Sequence, residues 1–226
     1  MTVDELLRAL RRIVAFDERE LAKGQAALRQ ICTGVTLDSR RVTPGTVFVA
    51  LRGLHMDGAQ FAQQPIAAGA AAVVSERSAS DPVDVPWVTV ADARLALAHL
   101  SAEFYEHPSR QMRVIGITGT NGKTTTGYLV GAIMEAAGIK CGLMGTVVYR
   151  VGDRDVAATR TTPEAPDVQA FMRQMLESGC GACAMEVSSH ALALRRVDGI
   201  RFAAGVFTNL TRDHLDFHHG MEDYFA

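Results

Sequence analysis

The stretch VIGITGTNGKTTT, residues 114–126, constrains this chain more than any other. Val114, Ile115, Gly116 and Ile117 form an apolar β-type run. A glycine-rich turn covers 118–122, and Lys123 with three consecutive threonines opens a helical pattern. In a strand–turn–helix of this kind, the backbone N–H groups of the turn and of the first helical turn converge on one point, where the helix dipole favours an anion. Lys123 adds a positive charge suited to β- and γ-phosphates, and Thr124 supplies a hydroxyl where Mg²⁺ would sit. The generic nucleotide loop asks for a glycine five positions before Gly122, and Ile117 stands there; the glycines fall at Gly116, Gly119 and Gly122. Such turns also serve packing alone, but Gly-Lys-Thr between strand and helix points to phosphate.

A length of 226 residues accommodates one or two domains with a sizeable core. The net charge of −2 gives no electrostatic reason to expect nucleic acid or an anionic membrane as a partner. The opening MTVDELLRAL carries two acids and no long apolar run, so it is not a secretory signal. No stretch approaches the ~20 apolar residues of a membrane-spanning helix. These features lead us to expect a cytoplasmic protein, working as a monomer. Four cysteines without a signal do not suggest a disulfide framework. Cys180 and Cys183 have CxxC spacing, but no second pair exists and Cys183 opens an apolar run, so reduced structural thiols are expected.

Periodicity divides the chain. Residues 3–14 have helical spacing; strands are expected at 35–37, 46–51, 72–75 and 88–90; helices at 61–68 and from Asp92 to about residue 105. Residues 17–23 read as charged surface, and 53–58 as a loop carrying His55 and Asp57. Pro108 stops the second helix, and 107–111 reads as a linker. Beyond it we expect a helix at 123–137, strands at 145–149 and 156–159, a helix at 166–177, a strand at 182–187, a helix from Ser188 and a strand at 202–208. Alternating strands and helices imply α/β architecture: a small unit over 1–110, then a mostly parallel sheet over 111–226.

Three polar groups follow apolar strands, where a doubly wound sheet keeps its working groups. They are Thr161-Thr162, Glu186, and the run from Asn209 to His214. Glu186 suits Mg²⁺, which takes one or two carboxylates and keeps waters; capping the helix at Ser188 is the competing role. His214 and His218 lie four apart, a possible metal pair on one helical face, but no HExxH arrangement accompanies them.

Five segments in this order and spacing resemble the Mur ligases: TGTNGKTTT, TTPEAPD, AMEVSSHAL, RRVDGIRF and VFTNLTRDHLDFH. Within that family they are most similar to the MurE branch, the UDP-N-acetylmuramoyl-tripeptide synthetases, and LDSRRVTPGTVFVALRGLHMDGAQF near the amino terminus agrees. The resemblance implies an ATP- and Mg²⁺-dependent ligase of peptidoglycan synthesis. Such an enzyme joins meso-diaminopimelate or L-lysine to the D-glutamate of UDP-MurNAc-L-Ala-D-Glu through an acyl phosphate. It implies a UDP-substrate domain over 1–110 and part of an ATP-binding domain over 111–226. Gly119, Thr120, Asn121, Gly122, Lys123, Thr124 and Thr125 then match the ATP loop; Thr124, Glu186 and His214 match metal ligands, with Lys123, Glu186 and His214 carrying the chemistry. Leu37, Ser39, Leu54, His55 and Met56 match contacts to the UDP-sugar, and Thr161, Thr162, Ser188 and Arg196 contacts to the muramoyl dipeptide. Leu194 departs from the family, which often has a polar contact there. The family's carbamylated lysine belongs to a Tyr-x-x-Ala-Lys motif of which Tyr224 to Ala226 is the beginning, so we expect a truncated chain, lacking the amino-acid-binding domain and without synthetase turnover by itself. A module that binds a UDP-sugar without turnover is the alternative.

Overall fold

The computed structural model describes residues 1–16, 24–52, 58–80, 82–213 and 217–225. The chain forms two compact units, Met1–Glu106 and His107–Ala226. Glu106 and His107 both take left-handed backbone angles, with φ of 59° and 49°. Pro108 follows, and its fixed ring keeps His107 out of the right-handed helical region.

The first unit opens with α1 (Val3–Leu10). The Thr2 hydroxyl accepts from the Glu5 N–H and the Glu5 carboxylate accepts from the Thr2 N–H, a reciprocal cap that starts the helix. Val3, Leu6, Leu7 and Leu10 point inward at helical spacing. The helix ends at Leu10, earlier than its periodicity suggests, and the chain turns through residues 11–13. After α2 (Gln25–Leu28) come β1 (Gly34–Thr36), β2 (Thr46–Ala50), α3 (Gln63–Ala67), β3 (Ala72–Ser75), β4 (Trp87–Thr89) and α4 (Ala93–Phe104). The four strands lie side by side in chain order, all parallel. Every residue of β2 and β3 is buried, as expected of parallel strands covered on both faces. The Asp92 carboxylate accepts from the Leu95 N–H and starts α4, which α1 packs against.

The second unit runs β5 (Arg113–Thr118), α5 (Lys123–Ala136), β6 (Cys141–Met144), β7 (Val148–Val151), β8 (Arg154–Ala157), α6 (Ala165–Glu177), β9 (Ala182–Glu186), α7 (Ser189–Ala193), β10 (Phe202–Phe207) and α8 (Met221–Phe225). Its sheet has the order β10-β5-β9-β6-β7-β8; the first four strands are parallel, and β7 pairs antiparallel with both β6 and β8. Two details differ from the periodicity. Strand β6 lies where no strand was expected: its four residues are buried on both faces, so no alternation marks them. Residues 145–147 form the turn after it, and β7 and β8 make a hairpin closed by Gly152 at φ 62°. One face of the sheet packs Val114, Cys183 and Met185 against Val168, Met172 and Met175 of α6. The other packs Ile115, Ile117, Leu143 and Ala184 against Val130 and Met134 of α5. All four cysteines are free and buried, and burial pushes the Cys183 thiol well above its ordinary range. They are structural thiols. Among the described residues no helix is long and apolar enough to cross a membrane.

Candidate active site

The turn between β5 and α5 owes its path to two glycines. Gly119 has φ 125°, and a Cβ there would lie 2.2 Å from the Thr208 hydroxyl oxygen and 2.7 Å from the Asn209 carbonyl. Backbone can approach this closely only without a side chain. Gly122 sits at φ 84° and is the residue before the first helical turn. The first intrahelical bond runs from the Thr126 N–H to the Gly122 carbonyl, and no side chain caps α5. The N–H groups of Lys123, Thr124 and Thr125 therefore remain free of helix partners, the arrangement that binds anions. Lys123 folds back over the loop, its Nζ 2.7 Å from the Gly119 carbonyl and 3.0 Å from the Thr120 carbonyl. The expected loop residues, Gly119 to Thr125, thus surround one concave turn.

The segment after β10 grips this turn from the side. The Thr120 N–H donates to the Asn209 carbonyl at 2.9 Å. Asn209 also accepts from the Asn121 N–H through Oδ1 at 3.1 Å and donates through Nδ2 to the Asn121 carbonyl at 3.0 Å. The Thr208 hydroxyl lies 2.7 Å from that same carbonyl. The sequence pattern places Asn209 and Thr211 after a strand without revealing this role, and it does not single out Thr208. These contacts join residues about 90 positions apart, and only the pairing of β10 with β5 predicts them.

Glu186 ends β9, the strand next to β5, in register with Ile117. It is 2% exposed. Its Oε1 accepts from the Thr146 N–H at 3.0 Å and its Oε2 from the Thr146 hydroxyl at 3.1 Å. Gly145 lets the carboxylate in, since a Cβ there would meet Oε1 at 2.2 Å. Glu186 does not cap α7; Ser188 does, accepting from the Ala191 N–H. The capping role weighed for Glu186 therefore falls to Ser188, and Glu186 instead holds Thr146.

Around it gather the other residues singled out in this unit. The Thr161 hydroxyl lies 3.1 Å from that of Thr146. The Thr162 hydroxyl donates to the Glu186 carbonyl at 2.8 Å and accepts from the Ser188 N–H at 3.1 Å. Arg196 donates to the Thr162 carbonyl and pairs with Glu164 at 2.7 Å. Tyr149 fixes this loop by hydrogen bonds to both backbone groups of Arg160. Leu194 follows α7, half-buried. In the first unit, Leu37 and Ser39 lie just beyond the carboxyl end of β1, around Asp38, whose side chain binds the Arg40 N–H and guanidinium. That pairing lowers the Asp38 pKa to about 2. Leu54, His55, Met56 and His214 lie outside the described residues. No group of three His, Cys, Asp or Glu side chains that would hold a metal forms among the described residues.

Two family models match the chain: "Mur ligase family, catalytic domain" over residues 32–105 and "Mur ligase middle domain" over residues 117–226. The chain belongs to the Mur ligase family. It is 49% identical, over 223 residues, to the UDP-N-acetylmuramoyl-L-alanyl-D-glutamate–2,6-diaminopimelate ligase of Chlorobaculum tepidum, covering 98% of this chain and 43% of that protein. The protein of the same name from Geobacter metallireducens is 51% identical over 192 residues, covering 85% of this chain and 38% of its own length. Among solved structures, a UDP-N-acetylmuramoyl-L-alanyl-D-glutamate–2,6-diaminopimelate ligase superposes with a TM-score of 0.72 at 29% identity, covering 87% of this chain and 40% of that one. This Mur ligase chain therefore spans less than half the length of these relatives.

Proposed function

We propose that this chain provides the UDP-substrate-binding and ATP-binding parts of a ligase that adds an amino acid to UDP-MurNAc-L-Ala-D-Glu. The names of the Chlorobaculum and Geobacter relatives favour 2,6-diaminopimelate over L-lysine as that amino acid. One observation carries the reading. The uncapped start of α5, with Lys123 above it, and the buried carboxylate of Glu186 sit at the carboxyl ends of adjacent strands. That edge is where doubly wound sheets bind ligands.

A carboxylate is a poor electrophile, and phosphorylation by ATP gives the D-glutamate carboxyl a leaving group for the incoming amine. The work left to the protein is positioning and charge neutralisation. The amides of residues 123–125 and the Lys123 ammonium bind the β- and γ-phosphates. Thr124 and Glu186 fit Mg²⁺: each Glu186 oxygen uses one lone pair on Thr146, which leaves the other for a cation. Mg²⁺ takes few protein ligands and keeps water and phosphate oxygens, so the site needs no cage of three side chains. His214 is the third proposed ligand. Bound there, Mg²⁺ supplies neutralisation of the phosphoryl charge. Arg196 offers a guanidinium to the substrate carboxylate, shared with Glu164; Thr161, Thr162 and Ser188 line the same loop. In the first unit Leu37, Ser39, Leu54, His55 and Met56 bind the UDP-sugar. Acting on a nucleotide-sugar with ATP, the chain works in the cytoplasm, as a monomer.

Calorimetric titration with Mg-ATP and, separately, with UDP-MurNAc-L-Ala-D-Glu tests this. Saturable heats are expected for both ligands. A chain that binds neither sinks the proposal.

A further inference from the structure

The hydroxyl of Thr120, inside the phosphate loop, has three polar neighbours. The Thr211 N–H lies at 2.9 Å, the Thr211 carbonyl at 3.2 Å and the Tyr224 hydroxyl at 3.0 Å. A threonine hydroxyl has one proton and two lone pairs. The Thr211 N–H can only donate, so it takes one Thr120 lone pair, and the Thr120 proton goes to the Thr211 carbonyl or to Tyr224. In both cases the two hydroxyls share one hydrogen bond, in which either oxygen can be the donor. Thr120 is 8% exposed, so this bond is shielded from water.

Tyr224 arrives held. It lies on α8, whose start is tied by the His219 N–H donating to Asp223 and by the Tyr224 N–H donating to the Gly220 carbonyl. Its ring tilts against His218, centroids 5.1 Å apart, and His218 is 5% exposed. His218 in turn meets Phe217 and His190 edge-on, and His190 packs on Phe217 at 4.1 Å. A phenol fixed by such a cluster loses little further freedom in making its hydrogen bond.

We propose that Tyr224 is a positioning residue for the nucleotide. Its hydroxyl bonds that of Thr120 and clamps the phosphate loop between α8 and the segment after β10, so that the free amides of α5 meet the phosphates already oriented. The inference rests on the reading that this loop binds ATP. Thr120 also passes its carbonyl to Lys123, so a loosened Thr120 disturbs the cation as well as the turn.

The test uses the 226-residue chain, with Tyr224→Phe, Thr120→Val and the double variant, titrated with Mg-ATP. Tyr224→Phe should weaken binding about fivefold, because the nucleotide must then order the loop itself, and should lower the thermal midpoint by no more than the loss of one shielded hydrogen bond. In the Thr120→Val background the same change should add nothing, because the bond is already gone. Wild-type affinity in Tyr224→Phe overturns the proposal, and so does an undiminished fivefold loss in the Thr120→Val background. Amide hydrogen exchange without nucleotide separates this from the ATP reading. Tyr224→Phe should speed exchange at Thr120 and Asn121 while leaving Val73 and Val74 alone. If the wild type binds no ATP, the ATP reading fails; equal exchange in the two proteins then removes the clamp too, and faster exchange in the variant upholds it.

Discussion

The two sheets of this chain are built from the same material and end differently. In the first unit, β1 to β4 follow one another in space as in sequence. In the second, the chain leaves β5 through α5 for β6 on one side, then leaves β9 through α7 and crosses to β10 on the other side of β5. A sheet wound in one direction has no point where its connections part. A sheet that reverses opens a crevice at the carboxyl ends of the strands beside the reversal. The glycine turn before α5 and Glu186 both lie there, at the ends of β5 and β9. In the first unit Leu37 and Ser39, two of the expected ligand contacts, follow the carboxyl end of β1. Topology, more than composition, explains why the second sheet gathers a compact polar cluster at the ends of two adjacent strands.

The difference can be attacked by perturbing one unit and reading both. Trp87, the only tryptophan, is buried in β4 and reports the first unit by fluorescence; Mg-ATP binding reports the second. The largest effect should come from Leu7→Ala, which empties a fully buried position under α1. It should cost about 2–5 kcal/mol of unfolding free energy, seen as a lower denaturant midpoint at Trp87, with ATP affinity kept. Loss of ATP binding at temperatures where the variant is folded would show that the second unit depends on the first.

Lys123→Ala comes next. Removal of one charge-assisted contact should weaken Mg-ATP binding by about 1.5–3 kcal/mol, while UDP-substrate binding and Trp87 unfolding stay as they were. Equal ATP affinities in the two proteins would refute the phosphate assignment. Gly145→Ala should be somewhat milder. Its Cβ collides with the Glu186 carboxylate, and overpacking of this kind costs about 1–3 kcal/mol, measurable as a lower thermal midpoint of the second unit by circular dichroism. An unchanged midpoint would mean that Glu186 has another place to go.

The smallest effect belongs to Asp38. Its hydrogen bonds to Arg40 lower its pKa from 3.8 to about 2 in the folded chain. A carboxyl depressed by folding stabilises above its unfolded pKa, and that contribution is lost as pH falls through the folded value. Between pH 4 and 2 the wild type should therefore lose stability that Asp38→Asn never had. Acid unfolding followed at Trp87 checks this, and parallel curves for the two proteins would contradict it. The pair is solvent-exposed, so the difference will be small and will shrink with salt.

The sequence by itself determined a good deal. Gly119, Gly122, Lys123 and Thr124 are local in sequence and local in space, because a strand, a tight turn and a helix start occupy consecutive residues; backbone geometry alone makes them a cradle. The cap at Asp92, the buried face of α1 and the strand at 72–75 were likewise legible, since propensity, periodicity and turn residues act over a few positions. What tertiary structure decided are contacts whose partners lie far apart along the chain. Strand β6 has no pattern of its own and exists through its pairing with β9. Glu186 is positioned by Thr146, forty residues away, and Thr120 by Thr211 and Tyr224, about a hundred away. No local rule reaches that distance: such neighbours are set by strand order, and strand order follows from how the whole sheet buries its two faces.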